Sequence, residues 1–477
     1  MKKILNKFKE FFKSGTTENL YNLDGAVPLS KAIPFGLQHV LAMFVGNITP
    51  ILIVGGVASL SGIDMANSIR GAIFIAGVGT LIQLFPIWKF GSKLPIVVGV
   101  SFTFVGTLTM ITSIYGYGTA LGSIIVGGII ISILGLFAKY WRKYIKPIIS
   151  STVVLAIGLS LLAVGAQQFI GYNSGTIANG SYDFSIGWKY ILIAFITLLS
   201  SILFQCFVKG VWKNLNIIFA IGVGYIASLI LHFSTGQTFM DFSALIQPFK
   251  DGITFTDFID IPRFTDFSKI EFKIGPIISV VLVYIVAATE GIGDLSALTI
   301  SGLNREATEK EISGGIAADG LISCLSGVFG SLPLTTFSQN VGLVGQTKVV
   351  NRFTLSIGAI FLILASLFPP IANFIETIPE PVLGGCMVIL FASIVVVGME
   401  MISKLGFTPK NIMVLSISLG LGFGITLIPE FLNGFSGNVG LTIKQIISNP
   451  VANMFLISLV LTYVLPEKLN NPIGNKE

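Results

Sequence analysis

Long apolar segments recur along the whole 477-residue chain and restrict it to one class of fold. Only 11% of the residues are Asp, Glu, Lys or Arg, and 53% are apolar, whereas soluble domains carry about 25% charged residues. So few charges cannot cover the surface of a soluble protein of this length. The sequence therefore predicts an all-α polytopic membrane protein, and it excludes a disordered chain, a disulfide scaffold and a nucleic-acid-binding module.

The number of bilayer crossings follows from the apolar segments, because one spanning helix needs about 20 apolar residues. Starting from a cytoplasmic N-terminus, alternate connectors carry Lys or Arg, as the positive-inside rule requires. This alternation predicts a multi-pass protein of the cell membrane with cytoplasmic N- and C-termini. About fourteen segments result, at residues 32–57, 69–88, 95–113, 118–138, 147–170, 188–208, 213–233, 272–300, 313–329, 333–349, 352–375, 382–402, 410–430 and 449–466.

Two short segments open with the same Leu-Pro signal. Pro95 and Pro333 lie 238 positions apart, and a polar pair follows each proline at the same offset. If each half of the chain has an odd number of spans, the second half starts on the opposite side of the membrane, and the two halves would be inverted copies. Paired interrupted spans at corresponding places are typical of a transporter's central site. The alternative is coincidence, because Leu-Pro is a common dipeptide.

Three carboxylic acids lie inside apolar segments, where an acidic side chain costs about 2.5–3.5 kcal/mol. Glu290 ends a long apolar stretch, Asp294 follows one helical turn later on the same face, and Asp319 has no basic residue within reach on its own helix. We expect an interior polar site, with at least one of the three as the proton-coupling group. The alternative is that one or two of them only cap a broken helix.

Polar groups at the two interrupted segments are candidates for binding a flat heterocycle. The amides of Gln339 and Asn340 offer both donors and acceptors. Backbone groups near Ser101 and Phe102 become available if the helix is broken there, and the Phe102 ring is able to stack on a ligand or simply to pack. His39, in the first span, is either a structural group or a ligand contact.

The remaining reactive side chains give no sign of catalysis. Cys206, Cys324 and Cys386 fall in apolar stretches and are expected to be small core residues. The two histidines are far apart, and no metal-ligand pair, nucleophile–base set or phosphate loop is present in the sequence. The sequence therefore predicts a protein that is not an enzyme and holds no cofactor or metal.

Four motifs in order make the chain resemble the nucleobase–ascorbate transporters, also called nucleobase:cation symporter-2 proteins, over nearly its whole length. The first is LQHVLAMF at residues 37–44, followed by TEGIGD at 289–294 and ADG at 318–320. The most specific is QNVGLVGQTK at 339–348. It fits the family signature, in which Gln, Glu or Pro precedes Asn-x-Gly-x(4)-Thr and a final Arg, Lys or Gly.

The resemblance implies fourteen spans in a seven-plus-seven inverted repeat, with short antiparallel strands in spans 3 and 10. It also implies a core domain that moves against a gate domain, and a homodimer formed through the gate domain. The implied parts are a cytoplasmic N-terminal segment (1–31), the core domain (32–138 and 272–375), the gate domain (147–233 and 382–466) and a cytoplasmic tail (467–477).

The resemblance also implies roles for the candidate site residues. Glu290 would bind the N–H edge of the heterocycle and Gln339 the other amide edge, with main-chain hydrogen bonds from Phe102. Asn340 and Asp319 would hold the site and His39 would modulate affinity. The resemblance is incomplete at Val100, where the family usually has Thr or Ser. Val100 lacks the hydroxyl group for a side-chain contact, but a backbone contact at this position does not depend on it.

Gln at position 339 resembles the xanthine and urate branch, since uracil carriers usually have Glu there and ascorbate carriers Pro. The expected function is import of a purine nucleobase, xanthine or urate first, by symport with a proton, sodium being possible. A uracil permease of the same family is the main alternative. An anion transporter of the sulfate-permease type is a further one, but an acid at 290 would repel an anion.

Overall fold

The computed structural model is mostly helical. It describes residues 15–470 except 61, 173, 175, 179–180, 210–215, 236–239, 244, 247–253, 429, 432–433, 436–439, 441–442 and 445. The predicted cytoplasmic segments 1–31 and 467–477 therefore lie partly outside the described residues. Within the first of them, Leu20 is buried at 2% exposure and the first helix begins at Leu29, three residues before the predicted span.

The chain divides into two compact units. Unit 1 comprises Met1–Lys143 and Ile253–Ala372, and unit 2 comprises Tyr144–Gly252 and Asn373–Glu477. The assignment of these parts to a core and a gate domain stays a prediction. The main helices of unit 1 are α1 (Leu29–Val57), α2 (Ile63–Leu84), α3 (Phe102–Tyr115), α4 (Tyr117–Leu136), α8 (Ile274–Leu303), α9 (Glu309–Val328), α10 (Ser338–Thr347) and α11 (Arg352–Ser366).

Unit 2 holds the remaining long helices. Its main helices are α5 (Pro147–Phe169), α6 (Phe184–Phe207), α7 (Asn216–Thr235), α12 (Glu380–Leu405), α13 (Pro409–Leu427) and α14 (Pro450–Val464). In α13 the α-helical hydrogen bonds give way to π-helical ones at Ser418–Phe423. A short hairpin of β2 (Ile177–Ala178) and β3 (Ser181–Tyr182) lies in the same unit.

Nine helices in the described part of the chain are long and apolar enough to cross a membrane. There are ten if α11 and the following helix Pro369–Glu376, which is bent from it by 81°, form one span. Four further predicted segments contain helices outside that group, namely α3, α9, α10 and α14. The count of fourteen and its seven-plus-seven arrangement therefore stay predictions.

Short strands interrupt the two segments that begin with Leu-Pro. In unit 1, β1 (Val98–Val100) pairs antiparallel with β4 (Leu334–Thr336), as the resemblance implies for spans 3 and 10. Val98 lies opposite Thr336, and these two residues have the same sequence separation as Pro95 and Pro333. This register is compatible with an inverted repeat of that separation, whose pseudo-twofold axis would pass through this residue pair.

Glycines allow α4 and α9 to approach closely in unit 1. A Cβ atom on Gly128 of α4 would lie 2.7 Å from the backbone nitrogen of Cys324 and 2.8 Å from the carbonyl oxygen of Gly320, both on α9. Across the same interface, Ser132 Oγ donates to Ala317 O at 2.8 Å. In a membrane, the hydrophobic effect does not drive helices together, because lipid tails are as apolar as the side chains. Close packing of small residues and hydrogen bonds between helices hold them together instead. The contact fixes α9, which carries Asp319.

We expect Gly128→Ala to destabilise the protein by about 1–3 kcal/mol, because the added methyl group has no room beside the α9 backbone. The melting temperature of the purified protein in detergent measures this. Gly222→Ala in α7 is the matched control, since a Cβ there would meet no atom within 4 Å. Equal melting temperatures for the two variants would contradict the tight packing of α4 on α9.

The cysteines are only partly where the apolar pattern predicts them. Cys386 is buried and Cys324 is half-buried, but Cys206 is exposed on the protein surface near the end of α6. The prediction of a core position was wrong for Cys206. The reason is that an apolar surface faces lipid as readily as it faces a protein interior, so an apolar stretch does not distinguish the two.

Candidate functional site

The paired strands bring two half-helices of unit 1 together. Each strand ends directly before a helix, β1 before α3 and β4 before α10. Ser101 N donates to Pro333 O at 2.9 Å and Phe337 N donates to Val97 O at 3.0 Å, which extends the pairing beyond both strands. The N-terminal turns of α3 and α10 therefore start at the same small sheet. Such turns carry unpaired backbone N–H groups and the positive end of the helix dipole.

Two of the predicted carboxyl groups accept hydrogen bonds from these turns. Glu290 and Asp294 are one turn apart on α8. Thr103 Oγ1, in the first turn of α3, donates to Glu290 Oε2 at 2.9 Å. Ser338 Oγ, the first residue of α10, donates to Asp294 Oδ2 at 2.9 Å. The two acids thus lie beside the first turns of the two half-helices.

Asp319 approaches the same sheet from α9. Its Oδ1 accepts from Gln83 Nε2 at 2.8 Å, and its Oδ2 lies 3.4 Å from both the backbone nitrogen and the hydroxyl of Thr336 in β4. Asp294 is near enough to Glu290 and Asp319 for their charges to interact. Within the described residues, no Lys, Arg or His nitrogen lies within 4.0 Å of any of these three carboxyl groups.

Gln339 lies in the first turn of α10, between two residues whose side chains are engaged. Its side chain is half-buried, and no hydrogen bond joins it to the described part of the chain. Ser338 before it bonds to Asp294, and Asn340 after it bonds to His39. The carboxamide of Gln339 therefore keeps its donors and acceptor available for a ligand.

His39 and Asn340 hold α1 against α10. Asn340 Nδ2 lies 3.0 Å from both His39 Nδ1 and His39 O. The carbonyl oxygen only accepts, so the amide nitrogen faces it and Nδ1 accepts as well; this makes His39 the neutral tautomer with its proton on Nε2. The two side chains are only 3% and 2% exposed. These two hydrogen bonds hold the first turn of α10 in position against α1.

The segment around Phe102 offers backbone groups more than side chains. Val100 N donates to Asn47 Oδ1 at 2.8 Å, so the valine that departs from the family pattern still makes a specific backbone hydrogen bond. Ser101 is buried at 6% exposure and Phe102 at 9%. Phe102 begins α3, where its backbone lies beside the strand pair.

The sequence pattern did not indicate three partners of the carboxyl groups, namely Thr103, Ser338 and Gln83. Thr and Ser are frequent in spanning helices, where they also bond to their own backbone, so the two hydroxyls gave no signal. Gln83 did have one. It is an amide inside the predicted apolar segment 69–88, and a polar group buried there requires a partner.

Comparison with known proteins identifies the family. Residues 30–431 match a family model described as a permease family. The chain belongs to this family, the nucleobase–ascorbate transporters. A xanthine permease of Bacillus subtilis is 34% identical to this permease over 406 residues, 84% of this chain and 86% of that protein. The uric acid permease PucK of the same species is 32% identical over 404 residues, 84% of this chain and 89% of that protein.

A solved structure shares the fold of the permease. The transmembrane domain of the cyanobacterial bicarbonate transporter BicA matches it with a TM-score of 0.52 at 14% identity, covering 90% of this chain and 97% of that domain. At this identity the likeness concerns the fold alone. With its family and its apolar helices, the permease is a multi-pass membrane protein, and permeases are transporters, not enzymes.

Proposed function

We propose that this permease is a secondary active transporter that imports an oxidised purine, xanthine or urate first, by symport with a proton. Sodium is the alternative coupling ion. The observation that carries the proposal is the meeting of Glu290, Asp294 and Asp319 at the strand pair between two half-helices, in a chain whose relatives include xanthine and uric acid permeases.

The chemistry of the site suits such a ligand. Xanthine and urate alternate N–H donors with carbonyl acceptors around a flat ring. The Glu290 carboxyl group accepts from a ring N–H group, which its carbonyl oxygen also does when the group is protonated, and the Gln339 amide pairs with a neighbouring edge through its donor and its acceptor. Main-chain contacts at Ser101 and Phe102 are the further part of the proposal, in which Ser101 contributes its carbonyl oxygen because its nitrogen donates to Pro333 O. Asn340, His39 and the two other acids support these groups.

Coupling to a proton follows from the missing counter-charge. Glu290 has one hydrogen-bond donor, Thr103, and no cationic partner in the described part of the chain. An uncompensated charge is costly inside a membrane. A proton bound with the substrate removes that charge, so the loaded site crosses more readily than the empty, ionised one. Glu290 is the proposed proton carrier, with Asp294 and Asp319 as site support.

Alternating access is proposed to come from movement of unit 1 as a core domain against unit 2 as a gate domain. Every residue of the proposed site belongs to unit 1, so the site would stay intact during that movement. A homodimer formed through unit 2, in the lipid bilayer, would keep the gate domains still while the core domains move.

Uptake by cells without purine carriers of their own tests the substrate and the driving ion. We expect labelled xanthine to accumulate in cells that express the permease, unlabelled urate to compete, and a protonophore to abolish accumulation while removal of sodium leaves it unchanged. Competition by uracil alone would favour the uracil permease. Uptake of bicarbonate or sulfate without any purine uptake would favour an anion transporter of the same fold.

A further inference from the structure

Gln83 joins three parts of unit 1 beneath the proposed site. Its side chain is 0% exposed near the end of α2. Nε2 donates to Asp319 Oδ1 at 2.8 Å and to Gly315 O at 3.0 Å, one helical turn earlier on α9. Oε1 accepts from the backbone nitrogen of Ser92 at 2.9 Å, in the connector that leads to β1. All three bonds have good lengths.

The orientation of the amide is determined by its backbone partners. Gly315 O only accepts and Ser92 N only donates, so Nε2 faces α9 and Oε1 faces the connector. In a flipped amide, Oε1 would face two acceptors, Gly315 O and Asp319 Oδ1, and Nε2 would face the donor Ser92 N. Asp319 Oδ1 therefore always meets an N–H donor, and this donor comes from a residue that the rest of unit 1 holds rigidly.

The other surroundings of Asp319 hold it weakly. Its distances to Thr336 are at the long end for hydrogen bonds, 3.4 Å. A small cavity adjoins the carboxyl group, with Tyr284, Ala287 and Ala288 of α8 among its lining residues. Without the bond from Gln83, the Asp319 side chain keeps only the two long contacts to Thr336.

We infer that Gln83 is a positioning residue for transport: it holds the Asp319 carboxylate against β4, beneath the site formed by the two half-helices. This inference rests on the proposed function, and it adds a residue outside the four family motifs. A carboxylate fixed in this way stays beside Thr336 of β4 while the substrate binds and leaves.

Gln83→Glu tests the inference because it keeps the size of the side chain and removes its donor. Two carboxyl groups then face each other at about 2.8 Å, and they tolerate this only while they share a proton. We expect Gln83→Glu to import xanthine at near wild-type rates at acidic pH and about 10-fold more slowly at alkaline pH. Gln83→Leu should be about 10-fold slower at every pH, since it lacks the donor throughout.

Other titratable groups lie near Asp319, so each rate is compared with wild type at the same pH. These groups are Glu290, Asp294 and Tyr284, all on α8. Gln83, Ile131 and Thr336, which α2, α4 and β4 contribute near Asp319, do not titrate. Gln167→Glu, at an exposed position of α5, is the matched control and should keep the wild-type profile.

A second readout separates this inference from the proposed function. We expect the melting temperature of Gln83→Glu in detergent to fall when the pH is changed from acidic to alkaline. This fall should be several degrees larger than the fall measured for wild type or for Gln167→Glu. If wild type imports no purine, the proposed function fails, and the melting profile alone decides whether Gln83 holds Asp319. Uptake and melting profiles of Gln83→Glu that both follow wild type would overturn the inference.

Discussion

Glu290→Gln is expected to reduce xanthine uptake at least 100-fold, which corresponds to about 2.7 kcal/mol, in a protein that still inserts into the membrane. The glutamine oxygen still accepts the hydrogen bond that Thr103 Oγ1 makes to Glu290 at 2.9 Å, so the local structure is kept. The amide, however, takes up no proton, and its NH2 group replaces the oxygen that would accept from a ring N–H group. Substrate binding and coupling are therefore lost together, while packing is not.

Initial rates of uptake, normalised to the amount of protein in the membrane fraction, measure this effect. Glu306→Gln is the matched control, because Glu306 belongs to the same unit but is exposed in the connector between α8 and α9. It should transport like wild type. Near-normal uptake by Glu290→Gln would remove Glu290 from the mechanism.

Gln339→Glu is expected to weaken xanthine binding about 100-fold, because the substitution removes the amide donor and adds a negative charge. The new carboxylate would stand next to Ser338, whose hydroxyl already bonds to Asp294. The edge of the ligand that pairs with the glutamine amide would then face two carboxylate oxygens, which both accept, instead of one donor and one acceptor. Because uracil carriers of the family usually have Glu here, we also expect uracil to become the better competitor.

The concentration of xanthine at half-maximal uptake, and inhibition by unlabelled uracil and urate, measure these changes. Gln346→Glu is the matched control on the same helix, where the side chain is exposed. It adds the same charge seven residues away and should leave both quantities unchanged. An unaltered substrate profile in Gln339→Glu would mean that position 339 does not contact the ligand.

The interrupted segments were the part of the fold that the sequence indicated best. The shared Leu-Pro signal marked the two segments that carry these strands, and β1 and β4 pair with Val98 opposite Thr336 at the separation of Pro95 and Pro333. Hydropathy was a weaker guide to the number of spans. Strand breaks shorten α3 and α10, so length and apolar content alone do not identify them as spans.

The carboxyl groups of the site were predictable, but their partners were not. Glu290, Asp294 and Asp319 stand out because acids are rare in apolar segments. Gln83 and Asp319 are 236 positions apart in sequence, and only the packing of α2 on α9 brings them together. The periodicity of a helix predicts which of its residues share one face. It does not predict which other helix packs against that face.

A structure of the permease with bound xanthine would show whether the two side chains meet one ligand. We expect the Glu290 carboxyl group and the Gln339 amide both to lie within about 3 Å of polar atoms on the same purine ring, beside the first turns of α3 and α10. A xanthine molecule bound elsewhere, or held at this place without contact to either side chain, would contradict it.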